Sequence, residues 1–174
     1  MRVDLKNFIN SDDVTMEFAG ELDRYHSDYD TEDLNLILPI KYKGTVYDIG
    51  DELLLDLSIV YKYKTQCDRC LKPIVKEEES ELEAYFLKTK QFDLADEADV
   101  QYFELENQEI LLDDIIISQI ITDRPLKNLC NENCLGLCPK CGKDLNEGPC
   151  ECESEADIDP RFESLLDLFN DEEV

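Results

Sequence analysis

Eight cysteines are the residues of this 174-residue chain whose type and spacing could do chemistry: Cys67, Cys70, Cys130, Cys134, Cys138, Cys141, Cys150 and Cys152. They fall in four close pairs, Cys67-Asp-Arg-Cys70, Cys130-x3-Cys134, Cys138-Pro-Lys-Cys141-Gly142 and Cys150-Glu-Cys152. Zinc takes four soft ligands in a tetrahedron, and two close pairs supply four thiolates at small ordering cost. A Cys-x2-Cys knuckle turns tightly enough to aim backbone amides at its sulfurs, and Gly142 tolerates the strained conformation after the second ligand. A reducing compartment favours metal binding over a disulfide framework. Eight thiols therefore predict two structural zinc ions.

Chain geometry suggests how the eight divide. Cys138, Cys141, Cys150 and Cys152 lie within fifteen residues and can close a compact ribbon alone. Cys67 and Cys70 would then pair with Cys130 and Cys134, pinning the tail to the main domain. The alternative joins Cys130 and Cys134 to the Cys138/Cys141 knuckle and leaves the other pairs idle. Each all-thiolate site adds −2, so two would take the formal charge from −26 to −30.

Other chemistries find little support. Catalytic zinc keeps an open position and usually enlists histidine or carboxylate, and the one histidine, His26, is remote in sequence and reads as a surface residue. A redox role for Cys67 and Cys70 lacks the surrounding βαβ pattern. The sequence holds no phosphate-cradling glycine loop, Ser/His/Asp set or H-E-x-x-H. The expectation is a protein that is not an enzyme and has no small-molecule substrate.

The elements that must position the cysteines come next. Residues 14–22 and 35–42 read as strands, with a turn at Lys43-Gly44 leading into 45–48 and another at Ile49-Gly50-Asp51. Residues 52–65 alternate with Leu53, Leu55, Leu57, Ile59, Tyr61 and Tyr63 on one face, and run directly into Cys67. Pro73 opens a return strand to residue 87, so the first knuckle sits at a hairpin tip. A polar linker is expected over 93–99 and a helix over 109–122, ended by Arg124-Pro125. The fold class predicted is α+β and mainly antiparallel: a curved sheet or partial barrel of five to six strands with one main helix and a small zinc-bound C-terminal module. The boundaries predicted are 1–124 for the β domain and 125–153 for the zinc module. An acidic tail follows over 154–174, with Asp159 capping a short amphipathic helix near 160–169 (Phe162, Leu165, Leu166, Phe169).

Charge narrows the partners. A net −26 repels a phosphate backbone and favours basic partners. Bases concentrate in residues 41–76 and 124–150, which hold eleven of the 17 and also seven of the eight cysteines. Arg69, Lys72, Arg124, Lys127, Lys140 and Lys143 are therefore candidate RNA contacts. Glu77, Glu78, Glu79, Glu81 and Glu83 are candidate contacts for a basic partner, although a solvated edge strand carries such a run for its own protection. Apolar runs of three to four residues and a polar start lead to the expectation of a cytoplasmic protein with no membrane partner.

These features in this order resemble the bacterial YceD family of large ribosomal RNA subunit accumulation proteins. The resemblance is carried by Cys67-Asp-Arg-Cys70-Leu-Lys-Pro, the acidic return strand, and Cys130-x3-Cys134-Leu-Gly136-Leu-Cys138-Pro-x-Cys141-Gly. It continues through Leu145-Asn146, Cys150-x-Cys152 and Asp159-Pro160-Arg161, spanning roughly residues 30–170. It implies a role in the accumulation or processing of large-subunit ribosomal RNA. Family genes often lie beside that of a small zinc-binding large-subunit protein, and some members lack the group Cys138/Cys141/Cys150/Cys152. The partners expected are a basic large-subunit ribosomal protein or, alternatively, precursor ribosomal RNA bound directly. No catalytic residues come with the family.

Overall fold

The computed structural model describes residues 1–27, 29–88, 102, 103, 105 and 107–152. The linker expected over 93–99 and the acidic tail with its amphipathic helix lie outside the described residues.

Strand β1 (Arg2–Asp4) and a one-turn helix α1 (Lys6–Ile9) lead into β2 (Thr15–Leu22), β3 (Leu36–Asp48), β4 (Glu52–Gln66) and β5 (Pro73–Leu87). Two short strands, β6 (Tyr102–Phe103) and β7 (Glu109–Leu111), precede the main helix α2 (Leu112–Asp123). The principal sheet runs β2-β3-β4-β5-β6, antiparallel except for the β5–β6 pair, and β1 pairs with β7 as a separate two-stranded sheet. Among the described residues the architecture is thus α+β with one main helix, but the predicted single sheet or partial barrel of five to six strands is corrected to two open sheets with seven strands between them.

The pleat explains the core. Side chains alternate across a strand, and Leu53, Leu55, Leu57, Ile59, Tyr61 and Tyr63 of β4 are all buried. Ile40, Tyr42 and Val46 of β3 join them, with Leu82, Ala84 and Phe86 of β5. Helix α2 covers this face with Leu112, Ile115, Ile116, Ile117 and Ile120. The buried Ser80 of β5 is satisfied by the helix, whose Gln119 Nε2 donates to its Oγ at 3.0 Å.

Two expectations fail for identifiable reasons. Lys43-Gly44 is no turn; β3 runs on through it for 13 residues. Gly44 faces Phe18 in the β2–β3 register, and a Cβ there would lie 2.4 Å from the Phe18 ring. Gly20 stands in the same relation to Tyr42, so each glycine accommodates an aromatic ring from the neighbouring strand. The helix expected from residue 109 begins at Leu112, because Glu109–Leu111 pairs with Arg2–Asp4. At that helix start the buried Asp113 accepts from the His26 backbone amide at 3.1 Å and pairs with the Met1 ammonium. Arg124 ends the helix in extended geometry before Pro125, as predicted.

Candidate metal centre

The hairpin of β4 and β5 is paired along its whole length, from Glu52↔Leu87 to Gln66↔Pro73, and delivers Cys67–Cys70 at its tip. The tail after α2 returns to that tip. Asp68 N donates to Asn128 O at 2.8 Å, the Asp68 carboxylate accepts from Asn128 N, and Tyr63 Oη donates to Asn128 Oδ1 at 2.7 Å. The Arg124 guanidinium lies 4.5 Å over the Tyr63 ring, a cation–π contact that fixes the direction in which the tail departs. These contacts bring Cys130 and Cys134 to the knuckle.

The eight sulfurs gather in two groups of four: Cys67, Cys70, Cys130 and Cys134 form site one, and Cys138, Cys141, Cys150 and Cys152 form site two. This is the division favoured by chain geometry. Within each group the sulfurs all lie within 4.8 Å of one another. A tetrahedron with Zn–S bonds of about 2.3 Å has edges of about 3.8 Å. Cys67 and Cys134 sulfurs are 3.8 Å apart, and Cys70 and Cys130 sulfurs 3.6 Å. Spacing and donor type thus fit a four-thiolate metal ion at each site, in which the four sulfurs would fill the tetrahedron. Site one is the more enclosed, with Cys67, Cys70 and Cys134 buried against Ile74, Leu129 and Leu137. In site two Cys141 is exposed and Cys150 and Cys152 are half-buried.

The two knuckles share one hydrogen-bond plan. Cys67 N donates to Lys72 O at 2.9 Å and Leu71 N to Cys67 O at 2.8 Å; Cys138 N donates to Lys143 O and Gly142 N to Cys138 O, both at 2.8 Å. The residue after the second ligand is left-handed in each, Leu71 at φ 59° and Gly142 at φ 73°. Electrostatics follows the turn. Burial opposes ionisation of Cys67, but backbone amides of Cys70, Cys130 and Arg69 prevail and bring the thiol down to about 6. The amides of Cys141 and Lys140 do the same for Cys138, also to about 6. Cys130 is pushed up to about 12 beside the sulfurs of Cys134 and Cys70, and Cys152 to about 12 beside Cys141. The knuckle amides thus favour a first thiolate in each group, while Cys130 and Cys152 retain their protons until a cation arrives.

The candidate RNA-contacting bases are largely engaged inside the chain. Arg69 donates to the carbonyls of Cys134 (2.7 Å) and Glu132 (3.3 Å). Lys72 sits between Asp144 (2.7 Å) and Glu147 (3.1 Å), carboxylates that hold its ammonium well above the ordinary range. Arg124 adds a bond to Asp33 O at 3.2 Å, and Lys143 one to Pro149 O at 2.8 Å. Lys127 and Lys140 are exposed. On β5, Glu77, Glu79, Glu81 and Glu83 project from the face opposite the core and are exposed, while Glu78 points the other way and is half-buried. Lys62 faces Glu77 at 3.2 Å and Ser58 donates to Glu79 at 3.3 Å. Sequence reasoning missed Asp68, Asn128 and Asp144, and it quoted Asn146 only within the family resemblance. The signal available was their placement one to five residues from a cysteine pair.

No helix among the described residues is long and apolar enough to cross a membrane. No solved structure matches this chain. Uncharacterized proteins of Mycobacterium tuberculosis (strain ATCC 25618 / H37Rv) and Mycobacterium bovis (strain ATCC BAA-935 / AF2122/97) are each 28% identical over 130 residues. The alignment covers 73% of this chain and 60% of those relatives, so the chain spans less than two thirds of their length. The family described as "Large ribosomal RNA subunit accumulation protein YceD" matches residues 55–169, from near the start of β4 through both cysteine groups. The chain belongs to the YceD family.

Proposed function

We propose that this protein is a non-enzymatic assembly factor that supports accumulation of large-subunit ribosomal RNA by holding a basic large-subunit ribosomal protein on the outer face of β5. Family membership supplies the process. The observation that carries the partner class is the row Glu77, Glu79, Glu81 and Glu83, four carboxylates on the exposed face of one strand. Alternate residues of a strand are about 6.7 Å apart, so the row extends roughly 20 Å. It suits an extended basic segment of a protein destined for ribosomal RNA, and its field repels RNA itself. Two structural zinc ions give the tip of the sheet its shape and take no part in a reaction.

Direct recognition of RNA by the zinc surface has less support, because Arg69, Lys72, Arg124 and Lys143 already serve contacts within the chain. The deciding experiment is a tagged pull-down, with and without ribonuclease, of the parent protein and of the variant with Glu77, Glu79, Glu81 and Glu83 all changed to Lys. The proposal expects one basic large-subunit protein to survive the nuclease and to be lost from the variant. Loss of every ribosomal signal with the RNA, or full retention by the variant, overturns it.

A further inference from the structure

The two cysteine groups are joined by groups that belong to neither. Asn146, in the loop of site two, directs its Nδ2 at the Cys134 sulfur of site one, 3.4 Å away. Its Oδ1 accepts from Leu135 N, the residue after that ligand, at 2.8 Å. Asp144 sets the orientation of Asn146, accepting from its backbone amide at 2.9 Å and from its side chain at 2.6 Å. The other Asp144 oxygen meets Lys72 of the first knuckle at 2.7 Å. Backbone contacts run the same way. Leu137 N donates to Arg69 O at 3.1 Å, and Leu145 N to Gly136 O at 2.9 Å. Gly136 packs so closely that a Cβ there would lie 3.0 Å from Arg69 O.

The order of residues matters. Asp144 and Asn146 lie between the Cys138/Cys141 knuckle and the Cys150/Cys152 pair, inside the loop that site two closes. A loop this short in apolar residues takes its conformation from its metal. Closing site two fixes both ends of this loop, and so adds to the contacts with Leu135, Gly136 and Lys72 that hold Asn146 against Cys134.

We infer that Asn146, oriented by Asp144, is a positioning residue for site one, and that through it the two metal sites are cooperatively coupled. An N–H donated to a ligating sulfur stabilises its thiolate and fixes its direction. Loss of such outer contacts costs metal sites about 10–100-fold in affinity. Coupling between equilibria is reciprocal, so loading site one also favours site two by anchoring residues 134–137 on the sheet. The inference rests on the two-site reading and is independent of the ribosomal partner.

The test uses the full chain loaded with Zn²⁺ or Co²⁺, with release to a chromophoric chelator followed in time. The double substitution Cys141→Ser, Cys152→Ser removes site two and reports site one alone. Site one is expected to lose its ion about tenfold faster in that variant than in the parent chain. Asn146→Ala, with all eight cysteines present, should speed release from site one to a similar degree. It should also shift the thiolate-to-Co²⁺ charge-transfer band of site one to lower energy, a change that general loosening does not produce. Adding Asn146→Ala to the double substitution should then have little further effect. A retained far-UV circular dichroism spectrum shows that the sheet is intact in each variant. Asn146→Asp serves where the alanine variant fails to fold: it keeps an acceptor for Leu135 N, removes the donor and adds a negative charge beside Cys134 and Asp144, so release from site one should quicken at least as much. Unchanged release and an unchanged band in the Asn146 variants, or effects that multiply, would overturn the coupling. A chain that binds fewer than two ions would overturn the sites themselves.

Discussion

Gly142→Ala isolates the cost of backbone strain in a metal knuckle. Gly142 has φ 73°, and a Cβ built on it meets nothing within 4 Å, so the substitution adds no clash. What remains is the left-handed conformation, about 1–2 kcal/mol for an L-residue. Part is offset because alanine narrows the unfolded ensemble, by about 0.4–1 kcal/mol. The net loss is about 1 kcal/mol. Since the loop folds with its metal, the strain emerges as affinity, roughly fivefold weaker at site two. Gly136→Ala is the graded comparison: φ 77° carries the same strain, and its Cβ would also press on Arg69 O at 3.0 Å, so the loss should be larger and centred on site one. Competitive zinc titration against a chelator measures both. An unchanged second-ion affinity in Gly142→Ala would refute the reasoning, as would a loss greater at Gly142 than at Gly136.

Metal uptake should release protons at neutral pH, because Cys130 and Cys152, near 12, still hold theirs when zinc arrives, while Cys67 and Cys138, near 6, do not. Affinity should fall as pH falls and drop more steeply below about 6, readable by calorimetry in buffers of differing ionisation heat; in the metal-free protein the depressed Cys67, at the tip of the paired hairpin, stabilises the fold above the free-thiol pKa, and that contribution disappears as pH falls through 6. Gly44→Ala forces a methyl into the Phe18 ring and should cost about 1–3 kcal/mol in urea denaturation, with metal content unchanged. Tyr63→Phe removes the donor to Asn128 but keeps the ring under Arg124, so a loss of about 1 kcal/mol is expected, against a larger one for Tyr63→Ala. Glu81→Gln removes one carboxylate and with it the repulsion from its two neighbours, Glu79 and Glu83, about 7 Å away along the strand, and should stabilise the sheet by a few tenths of a kcal/mol at low salt, with the gain shrinking as salt is added.

The legible parts of this fold were those where one local period decides. The alternation from Leu53 to Tyr63 marked the buried face of β4, and its direct run into Cys67 placed a knuckle at a hairpin tip. Partners distant in sequence decide the rest. Glu109–Leu111 merges with the helical pattern that follows it, and only Arg2–Asp4, more than a hundred residues away, makes it a strand. Gly44 carries the local signature of a turn, and the ring of Phe18 on the next strand keeps it in extended pairing. The cysteines showed the same contrast. Spacing named all eight and suggested their division, but the bond from Asn146 to Cys134 depends on how two turns pack, which neither spacing nor composition encodes.

The two sites also differ in when their ligands exist. Cys70 and Cys130, neighbours in site one, are separated by 60 residues. At about 5–20 residues per second, a ribosome needs roughly 3–12 s to make that interval. During it the hairpin emerges with two buried-to-be thiols and nothing to complete their tetrahedron. Site two spans fifteen residues and is finished within roughly 3 s of its first cysteine. The newborn chain therefore passes through a stage with a half-built centre at the tip of its longest hairpin. Its first ligand, Cys67, already has the amides of Cys70 and Arg69 to favour its thiolate, while that of Cys130 is still to come. In that interval Cys67 and Cys70 lack their partner thiols and are open to oxidation or to the wrong metal, a hazard that ends when the tail arrives.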